Sequence, residues 1–149
     1  MIAKDEMMPR LVKVCPTFEA TYHSLHEEWT VDEEFPEYMA LAELARHLIA
    51  LLQAGDTTCF GAVFRAVEEM LISGDKYVVD AMTVGLLEAL QNANLHEISS
   101  GEHPTQPEDF RSYLLPLSER RWDELYAFWA RVGTGSLADA IRFETGLDP

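Results

Sequence analysis

The chain has 149 residues, of which 26 are acidic and 11 basic, for a formal net charge of −15 at pH 7. That balance repels nucleic acid and anionic membrane surfaces and favours solubility or a cationic partner. Apolar residues make up 48% of the chain, too many for a disordered polyelectrolyte, and the length suits one domain spanning residues 1–149.

Cys15 and Cys59 lack Cys-x-x-Cys spacing and lie in apolar surroundings, so they read as free thiols of a reducing compartment. The first ten residues, MIAKDEMMPR, carry acids where a signal peptide needs an apolar run. The apolar run 48–52 is too short to span a bilayer. A cytoplasmic location is expected.

In chain order, residues 1–6 are expected to be a loose end. Pro9 suits the first turn of a short helix carrying Leu11, Val12 and Val14, which Pro16 stops. Thr17 is placed to cap a helix over 18–29, with Phe18, Tyr22, Leu25 and Trp29 along one face. Residues 30–37 form an acidic connection, the strongest charge run in the chain. A helix over 37–54 follows, with Leu41, Leu44, Ala45, Leu48, Ile49 and Leu52 as its buried stripe and Gly55 as its cap.

Asp56, Thr57 and Thr58 offer capping groups to a helix over 59–72. Its stripe runs through Phe60, Val63, Phe64, Val67, Met70 and Leu71, with Arg65, Glu68 and Glu69 off centre. Ser73-Gly74-Asp75 is expected to turn the chain, with Gly74 as a left-handed cap and Asp75 as the next N-cap. Residues 75–94 are apolar nearly all round, through Val78, Val79, Ala81, Met82, Val84, Gly85, Leu86, Leu87 and Leu90. A helix of that kind is packed on several sides and is expected at the centre. Residues 57–94 thus form a helical hairpin.

Residues 95–106 read as a long polar loop. Pro107 opens a helix with Phe110, Tyr113 and Leu114 that ends at Pro116. Ser118 caps a helix over 119–132 whose stripe holds Trp122, Leu125, Tyr126, Trp129 and Val132, and Gly133 and Gly135 break it. A last short helix is expected within 136–145, so that C-terminal helices occupy 107–146. No stretch alternates as a strand does. The expected fold is all-α: one domain of about six to seven antiparallel helices, arranged as a HEAT-like array or an orthogonal bundle.

Catalytic chemistry finds little support. There is no nucleophile elbow, P-loop or dinucleotide glycine pattern. His23 and His26 share a helical face and, with Glu19 or Glu27, offer part of a metal site, but no second pair completes it. Glu43 and His47 lack the Glu-x-x-His spacing of di-metal bundles. Glu88 sits among apolar neighbours and calls for a partner such as Arg65 or Arg111. Arg120 and Arg121 stand among acids and suit surface ion pairs. The stripe from Trp122 to Trp129 reads as core, with Tyr126 and one Trp as the alternative interface anchors. No enzyme activity, cofactor or metal is expected.

The segments LVKVCPTFEATY (11–22) and VGLLEALQN (84–92) resemble a family of small acidic all-helical bacterial domains of undefined activity. Members of that family are similar to the immunity partners encoded beside polymorphic toxins. The resemblance implies a non-enzymatic binding protein and carries no catalytic residue with it. The acids Glu27, Glu28, Asp32, Glu33, Glu34 and Glu37 are the expected contacts to a cognate toxin or other basic protein, whose active cleft they would block. Nucleic acid and membrane are not expected partners. The alternative is a helical adaptor that forms a homodimer or binds another protein through aromatic surface.

Overall fold

The computed structural model describes residues 1–29, 34–98 and 103–132. Among them the protein is all-α, with a lone parallel bridge between Ile2 and Gly74 and no strand. The α-helices are α1 (Lys4–Val14), α2 (Glu19–Glu28), α3 (Glu37–Gln53), α4 (Phe60–Ser73), α5 (Lys76–Asp80), α6 (Glu88–Leu90), α7 (Ala93–Ile98) and α8 (Pro116–Val132). Between α5 and α6 the backbone continues as a π-helical run, Ala81–Leu87, so residues 76–90 form one central rod.

The N-terminus departs from expectation. Residues 1–6 are no loose end: Ile2 is buried, its N–H donates to the Ser73 carbonyl (2.7 Å), and its carbonyl accepts from the Asp75 N–H (2.9 Å). α1 begins at Lys4, where Glu6 reaches back to the Ala3 N–H and the first-turn acids Asp5 and Glu6 complement the helix dipole. Pro9 therefore lies inside the helix. It forgoes one backbone hydrogen bond, while Met7, Met8 and Leu11 bury the helix against the core. A 3-10 turn, Pro16–Phe18, leads into α2. Thr17 does not cap that helix; its hydroxyl lies 2.8 Å from His47 Nε2.

α4 buries its expected stripe, and α3 buries Leu41, Leu44, Ala45, Leu48 and Ile49, but Leu52 is only half-buried and Gln53, which donates to the His96 carbonyl, is buried instead. Gly55, at φ +75°, closes α3, with its N–H on the Leu52 carbonyl and the Asp56 N–H on the Leu51 carbonyl. Gly74 does not adopt a left-handed conformation (φ −75°, ψ 157°), contrary to expectation. A Cβ there would meet the Met70 carbonyl oxygen at 2.4 Å, so glycine is needed for space. Asp75 caps α5 as expected, accepting from the Val78 N–H at 2.9 Å.

The rod is the centre of the protein. It buries Val78, Ala81, Met82, Leu86, Leu87 and Leu90, and packs on α3, α4 and α8. α1 lies against α4, and α4 against α8. Helices of an open repeat array touch only their sequence neighbours, so this pattern favours the bundle over the HEAT-like array.

The rod ends at Leu90, short of residue 94, and α7 occupies part of the expected polar loop. His96 is the reason. It is buried, with Nε2 donating to the Leu90 carbonyl (3.1 Å) and Nδ1 facing the Thr105 hydroxyl (2.9 Å), which also accepts from Gln53 Nε2 (3.2 Å). This polar chain ties the segment to the end of α3. The stretch Pro107–Tyr113 is 3-10 helix and seats Phe110 against Phe60 and Phe64.

α8 starts at Pro116, which opens the helix rather than ending its predecessor. Ser118, in the third position, accepts from the Leu115 N–H with its hydroxyl. Its first turn rests on Glu68, which is buried and not displaced to the helix flank. The two carboxylate oxygens accept from the Leu117 and Ser118 N–H groups, each at 2.8 Å. The buried residues of α8 include Trp122, Leu125 and Phe128, so Phe128 takes the core place expected of Trp129. The helix expected within 136–145 lies outside the described residues.

Candidate functional site

The acidic run falls where α2 ends and α3 begins. Glu27 and Glu28 close α2 and are exposed, Glu34 is exposed ahead of α3, and Glu37 opens α3 half-buried. Asp32 and Glu33 lie outside the described residues. The run looks unopposed in the sequence, yet α1 brings a base to it from thirty residues away. Lys4 Nζ lies 2.6 Å from Glu34 Oε1 and 4.7 Å from the centre of the Tyr77 ring. The hydrogen bond to Glu34 raises the Lys4 pKa. Glu27 and Glu28 form no ion pair among the described residues.

Glu37 is the strained member. One carboxylate oxygen, Oε2, is buried without a hydrogen-bond partner among the described residues. Burial raises its pKa; Lys4 opposes that shift and Glu34 adds to it. Nearby, burial and the Glu37 charge push the Tyr22 phenol up to about 12. A carboxyl whose folded pKa is raised binds its proton more tightly folded than unfolded, so its charge penalises the fold above that pKa. The penalty fades as pH falls through it. Glu37→Gln, neutral and close in shape, is therefore expected to melt higher than wild type at pH 7. The gap should close as pH is lowered toward 4, below the ordinary glutamate value (roughly 4.3). Melting curves across that range test this, and a Gln variant that melts lower at pH 7 would contradict it.

The same edge carries a knot of rings that the one-dimensional pattern does not display. His26 stacks on Phe35 with centroids 3.7 Å apart, and Tyr22 and Trp29 meet Phe35 edge-on at 6.1 and 6.3 Å. Tyr22, Trp29 and Phe35 are half-buried and His26 is exposed. Carboxylates around partly exposed aromatic rings suit a cationic protein surface, since Lys and Arg can pair with the acids and lie over the ring faces.

Other candidates from the sequence sort differently. His23 is exposed, and His26 is occupied with Phe35. Among the described residues no three His, Cys, Asp or Glu side chains converge as a metal site. Glu43 pairs with Arg46 rather than His47. Arg120 and Arg121 both approach Glu124, as expected of a helix surface. Arg111 is held by Glu108, Glu119 and Asp123. Glu88 is half-buried and lines a groove of about 680 Å³ together with Tyr38, Gly85, Tyr126 and Trp129. Tyr126 is exposed and Trp129 half-buried along that groove. No helix among the described residues is long and apolar enough to cross a membrane.

The profile of the Domain of unknown function (DUF7674) matches residues 8–130, from within α1 nearly to the end of α8. The chain belongs to this family. The matched region holds α2, α3, the rod and the acidic edge, while Lys4, which reaches that edge, precedes it. No curated protein and no solved structure matches the chain.

Proposed function

We propose that this chain is a non-enzymatic binding protein of the immunity type, which neutralises a cognate basic bacterial toxin in the cytoplasm. In this reading the α2–α3 edge covers the toxin's active cleft, with Glu27, Glu28, Asp32, Glu33, Glu34 and Glu37 as its acidic contacts. The observation that carries it is the juxtaposition of exposed carboxylates at Glu27, Glu28 and Glu34 with the ring knot of Tyr22, His26, Trp29 and Phe35. The net charge of −15 adds long-range attraction for a basic partner. Glu37, held charged at a cost to the fold, is consistent with a carboxylate kept for binding.

The test is a paired capture. Wild-type protein and the Glu27→Lys/Glu28→Lys variant are immobilised, exposed to lysate of the source organism and eluted along a salt gradient. Both positions are exposed, so the fold should survive the change. A basic protein held by wild type, released as salt rises and bound at least about tenfold more weakly by the variant is the expected result. Equal retention by both proteins would remove the edge from the interface.

The groove beside Tyr126 and Trp129 favours a second reading, an adaptor that self-associates or docks another protein through aromatic surface. Binding by that route would be insensitive to salt and to charge at Glu27 and Glu28, and would weaken on Tyr126→Ser.

A further inference from the structure

Cys15 and Cys59 are separated by 44 residues in sequence, yet their sulfurs lie 3.4 Å apart, near van der Waals contact. Cys15 follows α1 and is fully buried; Cys59 precedes α4 and is half-buried. Cys15 also faces the Thr17 hydroxyl at 3.7 Å, which in turn meets His47 Nε2 at 2.8 Å. Both thiols are free, so the fold brings together a fully buried and a half-buried cysteine beside a hydroxyl–imidazole pair.

We propose that Cys15 and Cys59 form a dithiol–disulfide couple, which a small disulfide such as oxidised glutathione converts into a covalent staple between the end of α1 and the start of α4. Cys59, the less buried of the two, gives up its proton and attacks one glutathione sulfur. The glutathione disulfide bond breaks, and one glutathione leaves as thiolate and takes up a proton. Cys15 then attacks the Cys59 sulfur of the mixed disulfide. Its proton passes by way of Thr17 Oγ1 to His47 Nε2, the second glutathione departs as thiolate, and it takes up a proton from solvent as His47 gives its own back. The balance is one protein dithiol and one oxidised glutathione giving one protein disulfide and two reduced glutathiones, two electrons passing from protein to glutathione.

The environment sets the tempo. Burial and the neighbouring Cys15 push the Cys59 thiol up to about 12, so little thiolate exists near neutrality. First attack is slow, and the couple responds to sustained oxidising conditions rather than to brief ones. The second step is fast by comparison, because Cys15 is already at the sulfur it must attack. The consequence falls on α2, which has no fully buried residue and grows from the turn that follows Cys15. A staple at that root fixes the helix whose far end carries Glu27 and Glu28. This inference stands whether or not those acids bind a partner.

The test uses the full chain with oxidised glutathione in mildly alkaline buffer, read by intact mass and by melting before and after reduction. Wild type is expected to lose about 2 Da and to melt roughly 10 °C higher when oxidised, both reversed by dithiothreitol. Cys15→Ser should stop at a single glutathione adduct, and Cys59→Ser should remain unmodified. His47→Gln should accumulate the adduct before closing. A wild-type protein that stays fully reduced, that stops at the adduct, or that forms intermolecular dimers instead would overturn the proposal. The wild-type readout is decisive even if a variant fails to fold.

Discussion

Glu68→Ala is expected to lower the unfolding free energy by about 3 kcal/mol and the melting temperature by roughly 6–12 °C. The Glu68 carboxylate is buried and accepts from the Leu117 and Ser118 N–H groups at 2.8 Å each. Those amides belong to the first turn of α8, where backbone donors have no partner within the helix. A negative charge is favoured there by the helix dipole as well. Alanine removes both acceptors and leaves the part-buried Leu117 donor and the buried Ser118 donor without them, and each such loss costs on the order of 1–3 kcal/mol. Glu68→Gln keeps one acceptor and turns its own amide hydrogens toward the other donor, so its loss should be smaller, about 2 kcal/mol. Amide exchange adds a local signature. Leu117 and Ser118 should exchange faster in the alanine variant, ahead of any change at the centre of the rod. A variant that melts with wild type would show that α8 does not depend on this cap.

Gly74→Ala should cost about 3 kcal/mol, although its backbone angles suit any residue. The added Cβ would lie 2.4 Å from the Met70 carbonyl oxygen and 2.7 Å from Val78 Cγ1. Backbone cannot step aside as a flexible side chain can, so the turn between α4 and α5 must open. Opening it also disturbs the pairing of Ile2 with Ser73 and Asp75. Gly55→Ala provides the contrast. Gly55 has φ +75° with open space around it, so its penalty is conformational alone, about 1 kcal/mol. Denaturant unfolding of the two variants separates space from conformation. A smaller loss at Gly74 than at Gly55 would contradict the close packing of this turn.

What could be read from the chain follows from which interactions are local. The stripes of α3 and α4 and the all-round apolar rod repeat every turn, so the pattern marks most of their buried residues, with Leu52, Val79 and Val84 only half-buried. Asp75 and Gly55 also act within one turn of their own position, so both caps are readable from the sequence. The helical pattern sets Glu68 off centre because its partners stand about fifty residues away, beyond the reach of any period. The pairing of Ile2 with Ser73 and Asp75 and the Cys15–Cys59 contact are likewise distant in sequence and leave no local pattern. Phe128 and Trp129 are adjacent, and only the direction from which the rod approaches α8 decides which is buried. At the edge, the exposure of Glu27 and Glu28 was legible as a charge run. The approach of Lys4, the buried oxygen of Glu37 and the stacking of His26 on Phe35 depend on how the starts of α1 and α3 meet the end of α2, which no pattern along α2 contains.

The central claim is neutralisation of a basic toxin by the acidic edge, and growth of a bacterial host tests it most directly. The captured basic protein would be expressed alone, with the wild-type chain, and with the Glu27→Lys/Glu28→Lys variant at matched levels. The account predicts growth arrest by the partner alone, recovery with wild type and failure of the variant to protect. A harmless partner, or equal protection by the charge-reversed chain, would contradict it.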